Sequence, residues 1–270
     1  MEFQKILTER NLRFAAPIEE ECDITDFDKM EEMIDRIRPD IIINCSAYNA
    51  VDEAEEESEL AYLVNSSAVE NLAALCRKNN IFLVHFSSDY VFDGKKDNLY
   101  KEEDEVNPLS MYGKSKLQGE QAVLGNNARS LVFRLSWVIG KGQQNFLFKL
   151  RQWAKKSPVL KISADEVSAP TFTETVVDVT LKALSKELSG LYHLTNSGYA
   201  SRYELAKYYI QYRQMNNLII PVPMSTFKTK AKRPGFSAMS NAKLSTALGI
   251  TILDWKEALR RYVDQSGESK

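Results

Sequence analysis

No glycine precedes Gly94 in this chain of 270 residues. A glycine-rich phosphate loop of the G-x-G-x-x-G kind, which lets the backbone approach a pyrophosphate at a helix N-terminus, is therefore excluded upstream of that point. Gly140 and Gly142 form a close pair, but Asn145 stands where the third glycine would be needed. Cysteine is also scarce: Cys22, Cys45 and Cys76 are unevenly spaced and include no C-x-x-C pair, which argues against a disulfide framework and a zinc site. The only histidines, His85 and His193, each sit within an apolar strand-like run, so core or edge positions are expected of them rather than metal ligation. No apolar run reaches the roughly 20 residues that span a bilayer, and the first residues lack the apolar core of a signal peptide. A net charge of −2 gives no electrostatic reason to expect nucleic acid or an anionic membrane as partner. Together these absences point to the cytoplasm.

What is present is ordinary globular material, 44% hydrophobic and 27% charged, patterned as alternating strands and helices. Residues 1–10 predict an amphipathic helix with Phe3, Ile6 and Leu7 on one side, and Leu12–Ala16 reads as a strand. Phe27–Ile37 reads as a helix and Pro39–Cys45 as a buried strand. A long helix over 58–79, a strand over 81–86, a helix around 110–125 and a strand over 130–135 continue the pattern. Continuous apolar strands suit a parallel sheet covered on both faces. The expected fold is α/β, a Rossmann-like doubly wound parallel sheet with a smaller, interleaved C-terminal substrate lobe. Residues 1–141 are read as the dinucleotide-binding domain and 142–270 as mainly substrate lobe, with some elements returning to the sheet. Later helices are expected near 144–155, 173–186, 201–214 and 254–264, and strands near 159–162 and 191–194. A fold of this kind normally opens on a strand and its phosphate loop, so a truncated start is an expectation here. The acidic run Asp52–Glu59 reads as a solvated helix start.

Ligands collect at the C-terminal ends of parallel strands, which selects Cys45–Asp52, Ser87–Phe92 and Ser136–Gly140. Ser87 and Ser88 follow the apolar run Ile81–Phe86, and Tyr112 and Lys116 are four apart, so on a helix they share a face. A phenol beside an ammonium, with a serine hydroxyl opposite, can protonate a carbonyl oxygen while hydride reaches its carbon. Y-x-x-x-K alone is a weak signal, since Tyr203–Lys207 also matches. That second copy follows no hydroxyl-terminated strand and reads as helix surface.

Ser88–Gly94, Asn107–Glu120 and Arg134–Trp137 resemble the extended short-chain dehydrogenase/reductases. Asp23–Asp26, Asn44–Glu55, Asn145–Phe146, Ala169–Thr171 and Arg233–Pro234 extend the likeness over nearly the whole chain. The family pattern D-Q-x-G-[AS]-P-T appears as Asp165–Thr171, with Glu166 and Ser168 as departures. The resemblance implies NADPH-dependent, or NADH-dependent, reduction of the C4 ketone of a nucleotide-linked 4-keto sugar, with dTDP-L-rhamnose as the implied product. Tyr112 would donate the proton, Lys116 would lower the tyrosine pKa and hydrogen-bond the nicotinamide ribose, and Ser88 would hold the carbonyl oxygen. Cofactor contacts carried over are Asp23 and Ile24 on the adenine side, and Ser46, Ala47 and Tyr48 near the diphosphate and ribose, completed by Tyr112 and Lys116. Substrate contacts are Ser88, Asp89, Trp137, Asn145, Phe146 and Arg233. Bland readings stand beside these: Asp23 as a helix cap, Ser46–Tyr48 as a plain strand-to-loop junction, Trp137 as core, and Lys228–Arg233 as a solvated basic face. A homodimer and a magnesium ion at its interface are further implications, without mapped ligands. Two other functions fit the same residues: a non-catalytic regulator like the β subunit of methionine adenosyltransferase, and a reductase or epimerase of another nucleotide sugar.

Overall fold

A computed structural model describes residues 2–126 and 129–265. Helix α1 (Glu2–Glu9) is followed by irregular chain, then α2 (Phe27–Ile37), β1 (Ile41–Asn44), α3 (Ser58–Tyr62), a π-helical turn (Leu63–Ser67), α4 (Ala68–Lys78), β2 (Phe82–Ser88), α5 (Met111–Asn126) and β3 (Ser130–Leu135). The remainder runs β4 (Val138–Ile139), α6 (Phe146–Lys156), β5 (Val159–Ser163), β6 (Val167–Ser168), β7 (Thr171–Phe172), α7 (Thr173–Ser185), β8 (Gly190–His193), β9 (Ala200–Ser201), α8 (Arg202–Tyr212), β10 (Leu218–Val222), α9 (Ala242–Leu248) and α10 (Trp255–Gln265).

The main sheet has the order β1-β2-β3-β8 and every pairing in it is parallel. Side chains alternate across a strand, and the two faces sort accordingly. Leu83 and Val132 enter a core with Ile34, Leu72 and Cys76 under α2 and α4, while Val84, Leu131 and Phe133 enter another with Val176, Val179 and Leu244 under α7 and α9. A second lobe is built from α6, α8 and α10 around the parallel pair β5 and β10, with Leu147, Leu150, Leu205 and Leu259 at its centre.

Leu12–Ala16, expected as a strand, is not one. A strand persists only where a neighbour takes its N–H and C=O groups; this segment pairs with nothing in the sheet, and Leu12 and Phe14 are exposed. The predicted long helix is real but carries the π-helical turn, and β2 runs on through Ser87 and Ser88 rather than stopping at Phe86. Strand β10 and helix α9 were not foreseen.

Between β3 and α5 lies a sealed ion pair. Arg134 donates from Nε and Nη2 to the Glu120 carboxylate at 3.0 and 2.6 Å, and both side chains are 3% exposed. The guanidinium stacks over Phe92, 5.0 Å from its centroid, and its Nη1 lies 3.4 Å from His193 Nε2. A guanidinium only donates, so that imidazole nitrogen accepts; burial and the Arg134 charge together push His193 down to about 3, and the ring is neutral. Removing one partner of a buried pair leaves an unpaired charge and costs about 3–5 kcal/mol, whereas an apolar replacement of both is close to neutral. Glu120→Gln is therefore expected to lose about that much in urea unfolding and Glu120→Leu with Arg134→Met to recover most of it; equal losses in single and double variants would contradict this.

Candidate active site

The C-terminal edge of the main sheet gathers the reactive groups. Ser88 closes β2 and caps a short 3-10 turn, its Oγ accepting from Tyr90 N at 3.2 Å. Tyr112 and Lys116 occupy the first turns of α5. The helix comes close to its neighbours at two glycines: a Cβ on Gly113 would lie 2.3 Å from the Tyr90 carbonyl oxygen, and one on Gly119 2.0 Å from that of Asn65. Glu55 Oε1 accepts from Met111 N at 2.8 Å, which places a carboxylate on the helix N-terminus. These contacts fix the register in which Tyr112 and Lys116 face β2.

Lys116 is 2% exposed and donates to the Phe86 carbonyl at 2.7 Å. Burial pushes its pKa down to about 8, with the Glu120 charge acting the other way. Tyr112 is packed among Tyr90, Ala54 and Ala61, with the Tyr90 ring edge-on at 5.7 Å. Its hydroxyl donates to Asn49 Oδ1 at 3.4 Å. Burial pushes the phenol up to about 12, although hydrogen bonding with Ser88 favours the phenolate. The expected lowering of the tyrosine pKa by Lys116 is outweighed in the ligand-free protein, where desolvation sets the net direction. A phenol in that state is a proton donor at neutral pH.

Beside this group runs the loop that follows β1. Asn65, in the π-helical turn, accepts from Tyr48 N at 2.9 Å and donates to the Tyr48 carbonyl at 3.0 Å and to Ser115 Oγ at 3.0 Å. One asparagine thus ties Ser46–Tyr48 to α5. Ser46 N is held by Asn44 Oδ1 at 3.0 Å. This backbone is thereby held at the C-terminal end of β1. On the expected adenine side, Asp23 Oδ1 accepts from both Thr25 N and Thr25 Oγ1 at 2.8 Å. It does not cap α2; Asp26 does. The Ile24 side chain belongs to the core with Ile34 and Leu72.

In the second lobe, Arg202 lies flat over Trp137, 3.5 Å from its centroid, and 5.0 Å from that of Phe146. Trp137 adopts a φ of +39°, a left-handed conformation uncommon for an aromatic residue. Asn145 caps α6, accepting from Phe148 N at 3.0 Å. Its amide also donates to the Gly140 carbonyl at 2.8 Å and to that of Gly142. That side chain holds its own loop. Arg233 forks onto Asp52 at 3.1 and 2.7 Å, and Lys230 pairs with Glu56 at 2.6 Å. The acidic run and the basic cluster, both read as solvated faces, meet each other across the two lobes. Asp89, expected at the substrate, is 2% exposed and engaged by serine hydroxyls. The two departures from the family pattern have partners: Glu166 pairs with Arg202 at 3.6 Å, and Ser168 Oγ donates to Asp89 at 2.8 Å. Among the described residues there is no group of three or more His, Cys, Asp or Glu able to hold a metal ion, so the expected magnesium finds no ligand set there. No described helix is long and apolar enough to cross a membrane.

A serine, a phenol and an ammonium at a sheet edge suit carbonyl reduction in general; sequence kinship narrows the choice. Residues 1–267 match the family model described as the RmlD substrate binding domain. A dTDP-4-dehydrorhamnose reductase from Aggregatibacter actinomycetemcomitans is 35% identical over 252 residues, covering 89% of this chain and 86% of that protein. The chain belongs to the RmlD family of dTDP-4-dehydrorhamnose reductases. The crystal structure of the Clostridium acetobutylicum dTDP-4-dehydrorhamnose reductase superposes with a TM-score of 0.95 at 34% identity, covering 98% of this chain and 94% of that one. The Bacillus anthracis dTDP-4-dehydrorhamnose reductase, solved in complex with NADP, gives 0.94 at 31% identity, with 97% and 94% covered.

Within this RmlD family member, Asn49, Asn65, Asp52 and Arg202 are site residues that sequence reasoning missed. Asn49 and Asp52 lie within the matched stretch Asn44–Glu55 and Asn65 within the predicted long helix, but their partners are contacts made only in three dimensions. A titration tests the buried ammonium. Lys116 has a folded pKa of about 8 against 10.5 when free, so between those values the folded protein binds fewer protons than the unfolded one. Its contribution to stability is complete above the upper value and is lost as pH falls through the lower. From pH 8 to pH 10 the wild type is expected to gain about 2 kcal/mol relative to Lys116→Met in urea unfolding; parallel profiles for the two proteins would show that Lys116 is not depressed.

Proposed function

We propose that this chain reduces the C4 ketone of dTDP-4-dehydro-L-rhamnose to dTDP-L-rhamnose, with NADPH as hydride donor. The reading is carried by one observation: Tyr112 and Lys116, one helical turn apart on α5, are both buried against the end of β2, the strand that Ser88 closes. Bound NADPH supplies a hydride to C4. Every other step belongs to the chain. Tyr112 transfers its proton to the ketone oxygen as negative charge develops there, and the phenolate left behind is favoured by hydrogen bonding from Ser88 and by the Lys116 charge. Ser46–Tyr48, clamped by Asn65, and Lys116 hold the nicotinamide ribose. Trp137, Phe146 and Arg202 present an aromatic and cationic wall to the sugar nucleotide, and Asn145 fixes the loop beside it. Arg233 is drawn toward the diphosphate from its place on Asp52, a fork being suited to phosphate oxygens. We place the reaction in the cytoplasm, in keeping with Cys22, Cys45 and Cys76, which are all free thiols.

The test is direct. Purified chain, NADPH and dTDP-4-dehydro-L-rhamnose are mixed, the absorbance of the reduced nicotinamide is followed, and the product is identified by NMR as the C4 alcohol. Tyr112→Phe is expected to slow turnover by roughly 10²–10⁴-fold. Absence of cofactor oxidation by the wild type, or an undiminished rate in Tyr112→Phe, would overturn the assignment.

A further inference from the structure

His85 takes no part in the proton transfer, yet it lies wholly buried on β2, an inner strand of the main sheet. It is in register with Asn44 of β1, and the two side chains share one face of the sheet. They meet there, Asn44 Nδ2 lying 3.3 Å from His85 Nδ1. Asn44 Oδ1 in turn accepts from Ser46 N at 3.0 Å. A line of hydrogen bonds thus runs from a sealed ring, through a buried amide, to an exposed loop residue.

Donors and acceptors fit this line in only one way. A backbone N–H only donates, so the end of the Asn44 amide that faces Ser46 is the oxygen. The NH2 end then faces His85, and Nδ1 must accept. The ring proton is on Nε2, an atom without a hydrogen-bond partner among the described residues. Burial, with the Lys116 charge acting in the same sense, holds the His85 pKa well below its ordinary value, so the ring stays neutral and Nδ1 stays an acceptor. An aliphatic side chain in this place would leave no buried ring donor unmet, and such a donor is costly. What the imidazole adds is the acceptor at Nδ1.

The loop that begins at Ser46 has a second anchor of the same design. Asn65 accepts from Tyr48 N at 2.9 Å and donates to Ser115 Oγ on α5 at 3.0 Å. Each anchor is a buried asparagine whose oxygen takes a loop N–H and whose NH2 is held by a fixed acceptor. Asn65 ties the loop to the helix; Asn44, through His85, ties it to the sheet. Without an acceptor for its NH2, the Asn44 amide turns to find another, and the bond to Ser46 is lost with it.

We propose that His85 is a positioning residue for the cofactor loop: by accepting from Asn44 it keeps the amide oxygen on Ser46 N and holds Ser46–Tyr48 in the shape that receives the nicotinamide ribose. The proposal rests on the reading that Ser46–Tyr48 holds the cofactor. It assigns the histidine no proton transfer and no contact with the sugar.

Two measurements on the full chain test it: the Kd for NADPH, from the fluorescence of the reduced nicotinamide, and the exchange rate of the Ser46 amide proton without cofactor, from NMR. A neutral hydrogen bond corresponds to roughly 2- to 10-fold. His85→Leu, which offers no acceptor, is expected to weaken NADPH binding and to speed Ser46 exchange by about that factor. His85→Asn, whose Oδ1 stands close to the place of Nδ1, is expected to restore most of both. If the ring acts through Asn44, then Asn44→Ala with His85→Leu binds NADPH no more weakly than Asn44→Ala alone. A ring that merely fills the core would cost His85→Leu stability and leave its Kd and Ser46 exchange at wild-type values; that result, or losses that multiply in the double variant, would overturn the proposal. Should His85→Leu fail to fold, His85→Met carries the same comparisons. A wild type that binds no NADPH sinks the cofactor reading of the loop instead, and the Ser46 exchange rates then decide alone: faster in His85→Leu and restored in His85→Asn supports the role, and equal rates refute it. The ring gives an independent check, because the chain has only two histidines: nitrogen NMR of the wild type is expected to show His85 with a bare Nδ1, and a proton on Nδ1 refutes the arrangement.

Discussion

One buried ammonium constrains the active side of this molecule. Lys116 is out of water, and a charge so placed must be compensated by its surroundings. Its ammonium donates to the Phe86 carbonyl, on the strand that ends at Ser88, so satisfying the lysine also brings α5 against the end of β2. The nearest countercharge is Glu120, a turn further along the helix, and Glu120 is itself neutralised by Arg134 on β3. Helix and sheet are thus joined by a line of charges, Lys116, Glu120 and Arg134, that ends on a neutral His193. The lysine stays depressed because the Glu120 charge that would raise it is shared with Arg134.

The same burial gives Tyr112 its role. Desolvation acts on phenol and ammonium in opposite senses, keeping the first protonated and making the second easier to deprotonate. A reductase that donates a proton needs the first of these effects, and bears the second. The phenol does not depend on Lys116 to hold its proton; the lysine matters once the proton has left, when the negative phenolate would otherwise be stranded in a low-dielectric site.

Much of this was legible in the sequence because it is local. Tyr112 and Lys116 are spaced for one helix face, and the run from Ile81 reads as a buried strand without any knowledge of its neighbours. The strand-helix alternation carried the sheet in the same way. What could not be read is the set of partners far apart in the chain. Asp52 meets Arg233 across 181 positions, Ser237 meets Asp89 across 148, and Glu55 reaches Met111 across 56. In a linear sequence nothing links one member of these pairs to the other. Hydrophobic periodicity reports which face is buried and is silent about which polar groups will find each other there. Leu12–Ala16 shows the converse: its residues suit a strand, but strand formation is a property of a pair, and no partner lies beside it in the sheet.

Magnitudes decide what holds the two lobes in register. Lys230 and Glu56 are 55% and 66% exposed, and an ion pair of that kind contributes about 0–1 kcal/mol and is screened by salt. Asp52 and Arg233, at 32% and 16%, form a better-shielded bidentate contact. The Asp89 cluster differs in kind, because no solvent reaches it and its bonds are hydrogen bonds to a charged group, each typically worth about 1.5–3 kcal/mol. The outer pairs are therefore the looser part of the seam and the inner cluster the firmer one.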